Sequence, residues 1–352
     1  MSTDDTPEAD RLDGAPHPRE TAALHGHAEA EAALLDAYRS GRMPHAWIVA
    51  GPAGAGRATL AYRLARFVLA HPDPAAADVA AAHDLAVDPD HPAARQVARL
   101  SHPDLLVLRR AWNPNRKTFF ADIRVDEARR AVSFFGATAG AGGWRVAIAD
   151  TADDFNPQAA NAILKVLEEP PPRSLILLLT AAPQSLLPTI RSRCRLLALQ
   201  PLDPTEVRAI LAETGLGEGA DEAVLEEAAA ASDGSVRQAA ALLAPEALAL
   251  RAEVGRLLGA LPAVDRVAAF ALAERVAGRD GERRFAQMSE QVLDWLHARA
   301  GAAIAAGEPR LARWAELWEK TARAAREAET YNLDRRPLVL ALVDDLARAA
   351  RG

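Results

Sequence analysis

The run Gly51-Pro52-Ala53-Gly54-Ala55-Gly56 follows directly on an apolar stretch, Ala46-Trp47-Ile48-Val49-Ala50. The spacing Gly51-x-x-x-x-Gly56 is that of a phosphate-cradling loop, where glycines let successive backbone N–H groups converge on an anion. Such a loop continues with a lysine for the β and γ phosphates and a Ser or Thr hydroxyl for magnesium. Arg57 and Ala58 stand in those two places, and Thr59 comes one position late. One helical step turns a side chain by about 100°, so Thr59 is a poor substitute. Arg57 is a cation, but its planar fork does not copy a compact ammonium. The other half of such a site is an apolar strand ending in an acid. Here Trp144 to Ala149 lead into Asp150, followed by Thr151-Ala152-Asp153. These residues predict a degenerate nucleotide site in which ATP binding is weak or absent and hydrolysis does not occur.

The elements around the site read as a strand–loop–helix unit that recurs. Ala58 to Ala70 has helical period, with Leu60, Leu64, Phe67 and Val68 on one side. Leu105 to Leu108 and the continuous apolar run Ser174 to Thr180 predict buried strands. Asp126 is expected to cap a helix over 127–135. Asn156-Pro157 marks a helix start, and Pro170-Pro171-Pro172 ends that helix. Arg195 to Leu199 predicts a further strand. Alternating strands and helices imply a parallel sheet with helices on both faces, an α/β fold over residues 21–200. A capping box at Asp203-Pro204-Thr205-Glu206 opens a small helical lid over 201–244. Residues 245–352 read as helices throughout. Residues 1–20, acidic and polar, are expected to be a disordered tail. Residues 71–103 show no clear period and read as an insertion.

Composition narrows the function classes. The chain has 352 residues, half of them apolar, and a net charge of −7, which argues against nucleic-acid binding through bulk positive charge. Arg109, Arg110, Arg116 and Lys117 form a basic stretch that reads as a solvated loop face. The single cysteine, Cys194, allows no intramolecular disulfide and no thiolate zinc site, and fits a reducing cytoplasm. His83, His91 and His102 have no zinc-site spacing, so no metal is expected. No run is long and apolar enough for a membrane span, and the N-terminus lacks the pattern of a signal peptide.

Several longer motifs carry a resemblance. They are Pro44-His45-Ala46, His102-Pro103-Asp104, the run Asn161-Ala162-Ile163-Leu164-Lys165-Val166-Leu167-Glu168-Glu169-Pro170-Pro171, Ser192-Arg193-Cys194, and Asn332 to Val339 near the C-terminus. Together they resemble the bacterial clamp-loader family of AAA+ proteins, and within it the delta-prime subunits of DNA polymerase III, from about Leu24 onward. The resemblance implies an AAA+ module, a lid and a helical collar that pairs with those of other subunits. The implied partners are gamma/tau and delta subunits in a hetero-pentamer that loads a sliding clamp on primed DNA. It implies that Arg193, flanked by Ser192 and Cys194, reaches into the ATP site of an adjacent gamma/tau subunit. Thr180 and Arg237 stand where the family places two nucleotide-sensing residues, and the hydrolytic members carry a glutamate where this chain has Thr151. The four-cysteine zinc module of many relatives is missing.

The chain is therefore expected to have neither polymerase nor ATPase activity of its own while serving a polymerase holoenzyme. The rival readings are an ATP-hydrolysing gamma/tau-type motor and a non-enzymatic AAA+-derived scaffold. From the residues, Glu168-Glu169 at a helix C-terminus opposes the helix dipole, which points either to a partner cation or to a solvated acidic pair.

Overall fold

The computed structural model describes residues 7–137, 143–244, 246–278, 281–305, 311–331 and 333–351. The chain divides into two compact units, Met1–Ala240 and Ala241–Gly352.

The first unit is built on a parallel sheet. Its strands are β1 (Ala46–Ala50), β2 (Leu105–Leu108), β5 (Arg145–Ala149), β6 (Ser174–Thr180) and β7 (Arg195–Ala198), in the order β2-β5-β6-β1-β7. All its pairings are parallel. The middle strands β1, β5 and β6 are buried along their whole length, which is why they read as unbroken apolar runs rather than alternating ones. Register puts Ala50 beside both Thr180 and Ala198, so the ends of three strands meet at the glycine loop. A short hairpin, β3 (Trp112–Asn113) and β4 (Thr118–Phe119), interrupts the β2 crossover and lies outside the sequence reading.

Helices flank the sheet: α1 (Ala28–Arg39), α2 (Arg57–Ala70), α3 (Ala77–Ala81), α4 (Pro92–Ala98), α5 (Val125–Gly136), α6 (Pro157–Glu168) and α7 (Pro188–Arg191). Two cores result. One joins α1, α2 and the segment around Val79, Leu85 and Val97 to one face of the sheet. The other packs Ala131, Phe135, Ile163 and Leu167 of α5 and α6 on the opposite face. The insertion at 71–103 thus gains its packing from the α2 side. Leu85 donates its backbone N–H to Glu31 (3.0 Å), and Arg39 donates to the carbonyls of Val79 and Ala82. Asp126 is not the cap of α5. Arg124 precedes the helix, and Asp126 lies in the first turn, where a carboxylate favours the helix dipole.

The same unit continues through α8 (Pro204–Glu213) and α9 (Glu222–Ala230) into α10 (Val236–Leu242). Asp203 and Glu206 form the expected capping box, which satisfies orphan N–H groups at both ends of the first turn. The second unit carries α11 (Ala247–Gly259), α12 (Arg266–Ala277), α13 (Gly281–Ala305), α14 (Leu311–Tyr331) and α15 (Arg335–Arg351). Leu250, Leu272, Met288, Leu296, Trp314 and Val339 are among its buried residues, and no strand occurs among its described residues. No helix of the described residues is long and apolar enough to cross a membrane.

The expectation of a disordered stretch over residues 1–20 is corrected for residues 7–20. Glu8 pairs with Arg19 (2.9 Å) and Arg109 (2.7 Å), and Asp10 pairs with Arg109 (2.7 Å) and His17 (3.2 Å). His17 is fully buried and meets Tyr62 of α2 edge-on. Arg66 donates to the carbonyls of Arg19 and Thr21. A low-hydrophobicity segment is held here by charge pairing in a partly dry setting, which composition does not reveal. Residues 1–6 lie outside the described residues.

Candidate functional site

The glycine loop lies where the C-terminal ends of β1, β5 and β6 converge, the usual ligand position in an open α/β sheet. Gly54 (φ +79°) and Gly56 (φ +96°) adopt left-handed backbone that a side chain rarely tolerates. Gly56 is the residue before α2, so the first turn of that helix points its free N–H groups at the loop.

The loop is covered. A Cβ on Gly54 would lie 2.4 Å from Ser235 Oγ and 2.9 Å from both Cβ and N of Arg237. Val236 donates its backbone N–H to the Gly54 carbonyl at 3.1 Å. The start of α10 therefore rests directly on the loop. From the other side, buried His27 places Nε2 2.5 Å from the Ala55 carbonyl. Neither Ser235 nor His27 was marked in the sequence. A Gly-Ser step before a helix, and a histidine before α1, carry no signal of their own without the fold.

Arg57 is the first residue of α2, and its Nη1 is buried without a hydrogen-bond partner among the described residues. Burial lowers its pKa, opposed by Asp150 and Asp153 and reinforced by Arg237. Asp150 responds in the opposite sense. Burial pushes its carboxyl up to about 7, nearby Asp10 adds to the rise, and Arg57 and Arg237 oppose it. A magnesium-binding acid needs to be ionised, and burial works against the ionised form here. Thr59 is half-buried in the first turn of α2, a step round from the Ala58 position.

Asp153 is occupied. It accepts from Thr180 Oγ1, from the Ala181 N–H at 2.8 Å and from Thr151 Oγ1 at 2.9 Å. Thr180, fully buried at the end of β6, thus spends its hydroxyl on an internal tie. Thr151 Oγ1 also lies 2.8 Å from the Leu179 carbonyl, an alternative acceptor for its one hydroxyl proton. Arg237 is exposed on α10. The structure brings Gly51, Gly54, Gly56, Arg57, Asp150, Thr180 and Arg237 to one corner. Within it Thr180, Thr151 and the Ala181 N–H are tied to Asp153, Arg57 Nη1 is buried without a hydrogen-bond partner among the described residues, and Arg237 is exposed.

Ser192, Arg193 and Cys194 lie elsewhere, between α7 and β7. Arg193 is half-exposed. Its Nη2 is 3.0 Å from Glu168 Oε1, and Nη1 donates to the Thr189 carbonyl (2.9 Å) and Ser192 Oγ (3.3 Å). The partner cation at the acidic end of α6 is Arg193. The neighbouring arginines differ: Arg195 stacks over Trp47, 5.2 Å from the ring centroid. Cys194 packs against the α6 core, and burial pushes its thiol up to about 12, so it is not a thiolate nucleophile. Histidine 45 of the Pro44-His45-Ala46 motif reaches the Leu167 carbonyl at 3.1 Å, tying the start of β1 to the end of α6.

The basic stretch is corrected in part. Arg109 is committed to Glu8 and Asp10, and Arg110 lies 3.2 Å from Asp154. Arg116 and Lys117 remain exposed at the hairpin turn. Among the described residues no group of three or more His, Cys, Asp or Glu is placed to hold a metal ion.

The chain is 39% identical over 152 residues to the DNA polymerase III subunit delta' of Pseudomonas aeruginosa, covering 43% of this chain and 41% of that protein. It is 28% identical over 286 residues to the delta' subunit of Yersinia pestis, covering 76% and 75%. It is 29% identical over 290 residues to the gamma/tau subunit of Mycobacterium tuberculosis, covering 80% and 46%. The match spans less than half the length of the Pseudomonas and Mycobacterium relatives. A family model described as DNA polymerase III, delta subunit, matches residues 26–203. That segment takes in the glycine loop, Asp150, Thr180 and the Ser192–Cys194 corner alike, and the chain belongs to this DNA polymerase III delta-subunit family.

Proposed function

We propose that this chain is a delta-prime-type stator of a bacterial clamp loader, inert as an ATPase and active through Arg193. In this reading it assembles with gamma/tau and delta subunits, and the assembly loads a sliding clamp on primed DNA. Its second unit is the collar. Arg193 enters the ATP site of the adjacent gamma/tau subunit, where an always-charged guanidinium bridges γ-phosphate oxygens as hydrolysis begins.

One contrast carries the reading. The chain's own phosphate loop is covered by Ser235 to Arg237 and lacks the lysine and the magnesium hydroxyl, while Arg193 lies half-exposed at the sheet's margin. Beside it β7 is an edge strand, with Leu196 exposed, as fits a face that a neighbour covers. Ala58 and Thr151 weigh against the motor reading, because no residue there supplies a magnesium hydroxyl or a base. The covered loop and the raised Asp150 carboxyl support a reading of weak or absent nucleotide binding.

The test has two arms. The purified chain is expected to show no ATP turnover; turnover abolished by Asp150→Asn would establish the motor instead. In the complex reconstituted with gamma/tau and delta, Arg193→Ala is expected to leave assembly intact and lower DNA-stimulated hydrolysis. A finger given in trans contributes roughly 10³–10⁵ in rate at its own site in GTPases, so that one site should fall silent. Unchanged hydrolysis rejects the role of Arg193.

A further inference from the structure

The free guanidinium of a finger is not free in this chain. Both terminal nitrogens of Arg193 are engaged within the subunit: Nη2 by Glu168 at 3.0 Å, Nη1 by the Thr189 carbonyl at 2.9 Å and Ser192 Oγ at 3.3 Å. To bridge phosphate oxygens in a neighbour, at least one of these contacts must open.

Glu168 is an unusual place to find the partner. It is the last residue of α6 and is followed by Glu169, so two carboxylates sit on the negative end of the helix dipole. Nothing in the packing of α6 requires an acid there: the buried face is made by Ala159, Ala160, Ile163, Val166 and Leu167. The carboxylate is exposed, and its recorded ion-pair partner is Arg193. The pair is half open to water, with side-chain exposures of 35% and 49%, so it is a weak, water-screened ion pair rather than a permanent one. A triphosphate carries more charge than one carboxylate and offers a guanidinium two parallel oxygen acceptors, so it displaces Glu168 when it comes within reach.

We propose that Glu168 is a positioning residue for the finger. Its carboxylate parks Arg193 against the subunit while no phosphate is present and yields it to the phosphate oxygens of the neighbouring site. This rests on the reading of Arg193 given above. The parked state aligns the guanidinium and keeps it from other anions, and it sets a threshold: Arg193 leaves only for an anion that outcompetes Glu168. Removing the carboxylate therefore strengthens the hold on ATP without changing the chemistry Arg193 performs.

The full-length chain with Glu168→Gln, Glu168→Asp, Arg193→Ala and the Glu168→Gln/Arg193→Ala pair is reconstituted with gamma/tau and delta. ATP hydrolysis is then measured across ATP concentrations. Glu168→Gln is expected to lower KM for ATP about two- to fivefold with kcat little changed, the size an exposed ion pair supports. Glu168→Asp should restore part of the wild-type KM, and the double variant should match Arg193→Ala alone. An unchanged KM, a fall in kcat alone, or the same KM shift in the Arg193→Ala background overturns the proposal. A second readout needs no ATP and no partner. In the isolated chain, NMR exchange of the Arg193 guanidinium protons should be slowed relative to an exposed arginine and released by Glu168→Gln. If Arg193→Ala leaves hydrolysis unchanged while this NMR difference persists, the finger reading fails and the pairing stands. If the NMR difference is missing, the parking role fails whatever the hydrolysis shows.

Discussion

The glycine loop and the Ser192–Cys194 corner adjoin opposite ends of α6, and they are held in opposite ways. At the loop several groups are taken up within the fold: α10 rests on Gly54, His27 on Ala55, and Thr180 on Asp153. At the other end one arginine is held by a single exposed carboxylate and two short-range contacts. The helix has 12 residues, a length of roughly 18 Å at 1.5 Å per residue. In the proposed reading the loop has become structural core, and Arg193 serves the site of another molecule.

The sharpest way to break that comparison is to disturb the loop. Gly54→Ala forces a side chain into left-handed backbone and into Ser235 and Arg237, and should destabilise the chain by about 3 kcal/mol in denaturant unfolding. A loss under about 1 kcal/mol would mean the loop is open after all. Next comes Arg109→Ala, which removes the cation shared by Glu8 and the buried Asp10, leaving Arg19 on one and His17 on the other, and should remove about 2 kcal/mol. It also changes the acid side. Burial alone would raise Glu8, but the hydrogen bonds from Arg19 and Arg109 outweigh it and hold the carboxyl at about 2. That stabilisation is complete above the ordinary glutamate range near pH 4 and disappears as pH falls toward 2. The Arg109→Ala variant should therefore lose less on acidification than the parent.

Asp150 titrates with the reverse sign. With its carboxyl at about 7 in the fold and near 4 unfolded, the native state binds the extra proton between those values. Stability from this group therefore falls as pH rises from about 4 to 7. A rise from about 4 to about 7 corresponds to about 4 kcal/mol in full. Because Asp150 is only half-buried and faces Arg57, Asp150→Asn should raise the unfolding free energy at pH 8 by about 1 kcal/mol and leave it little changed at pH 4. Equal effects at both pH values would contradict the raised carboxyl. The smallest stability effect belongs to the other corner. Arg193→Ala should shift unfolding by less than about 0.5 kcal/mol, since its ion pair is exposed. A large loss there, with no loss of hydrolysis in the reconstituted complex, would make Arg193 structural and collapse the contrast.

Local pattern was enough for most of the elements. The largely apolar runs at 46–50, 145–149 and 174–180 read as strands buried on both faces, and they are. Asn156-Pro157 and the Asp203 capping box act through groups within three residues of one another, so their meaning is written in sequence order. The substitutions at Arg57 and Ala58 are likewise visible without a fold, because a phosphate loop's requirements are fixed by spacing. What only tertiary structure decided are the contacts made by distant residues. Ser235 lies far along the chain from Gly54, and Asp10 and Glu8 meet Arg109 across most of the sheet domain. Residues 7–20 therefore looked like solvated chain when their charges were read without the arginines that pair with them. Glu168 could ask for a cation from its place on the helix dipole, but a periodic pattern has no means of naming which one. The crossover from α6 through β6 to α7 settles that, because it brings Arg193 back beside the end of the helix.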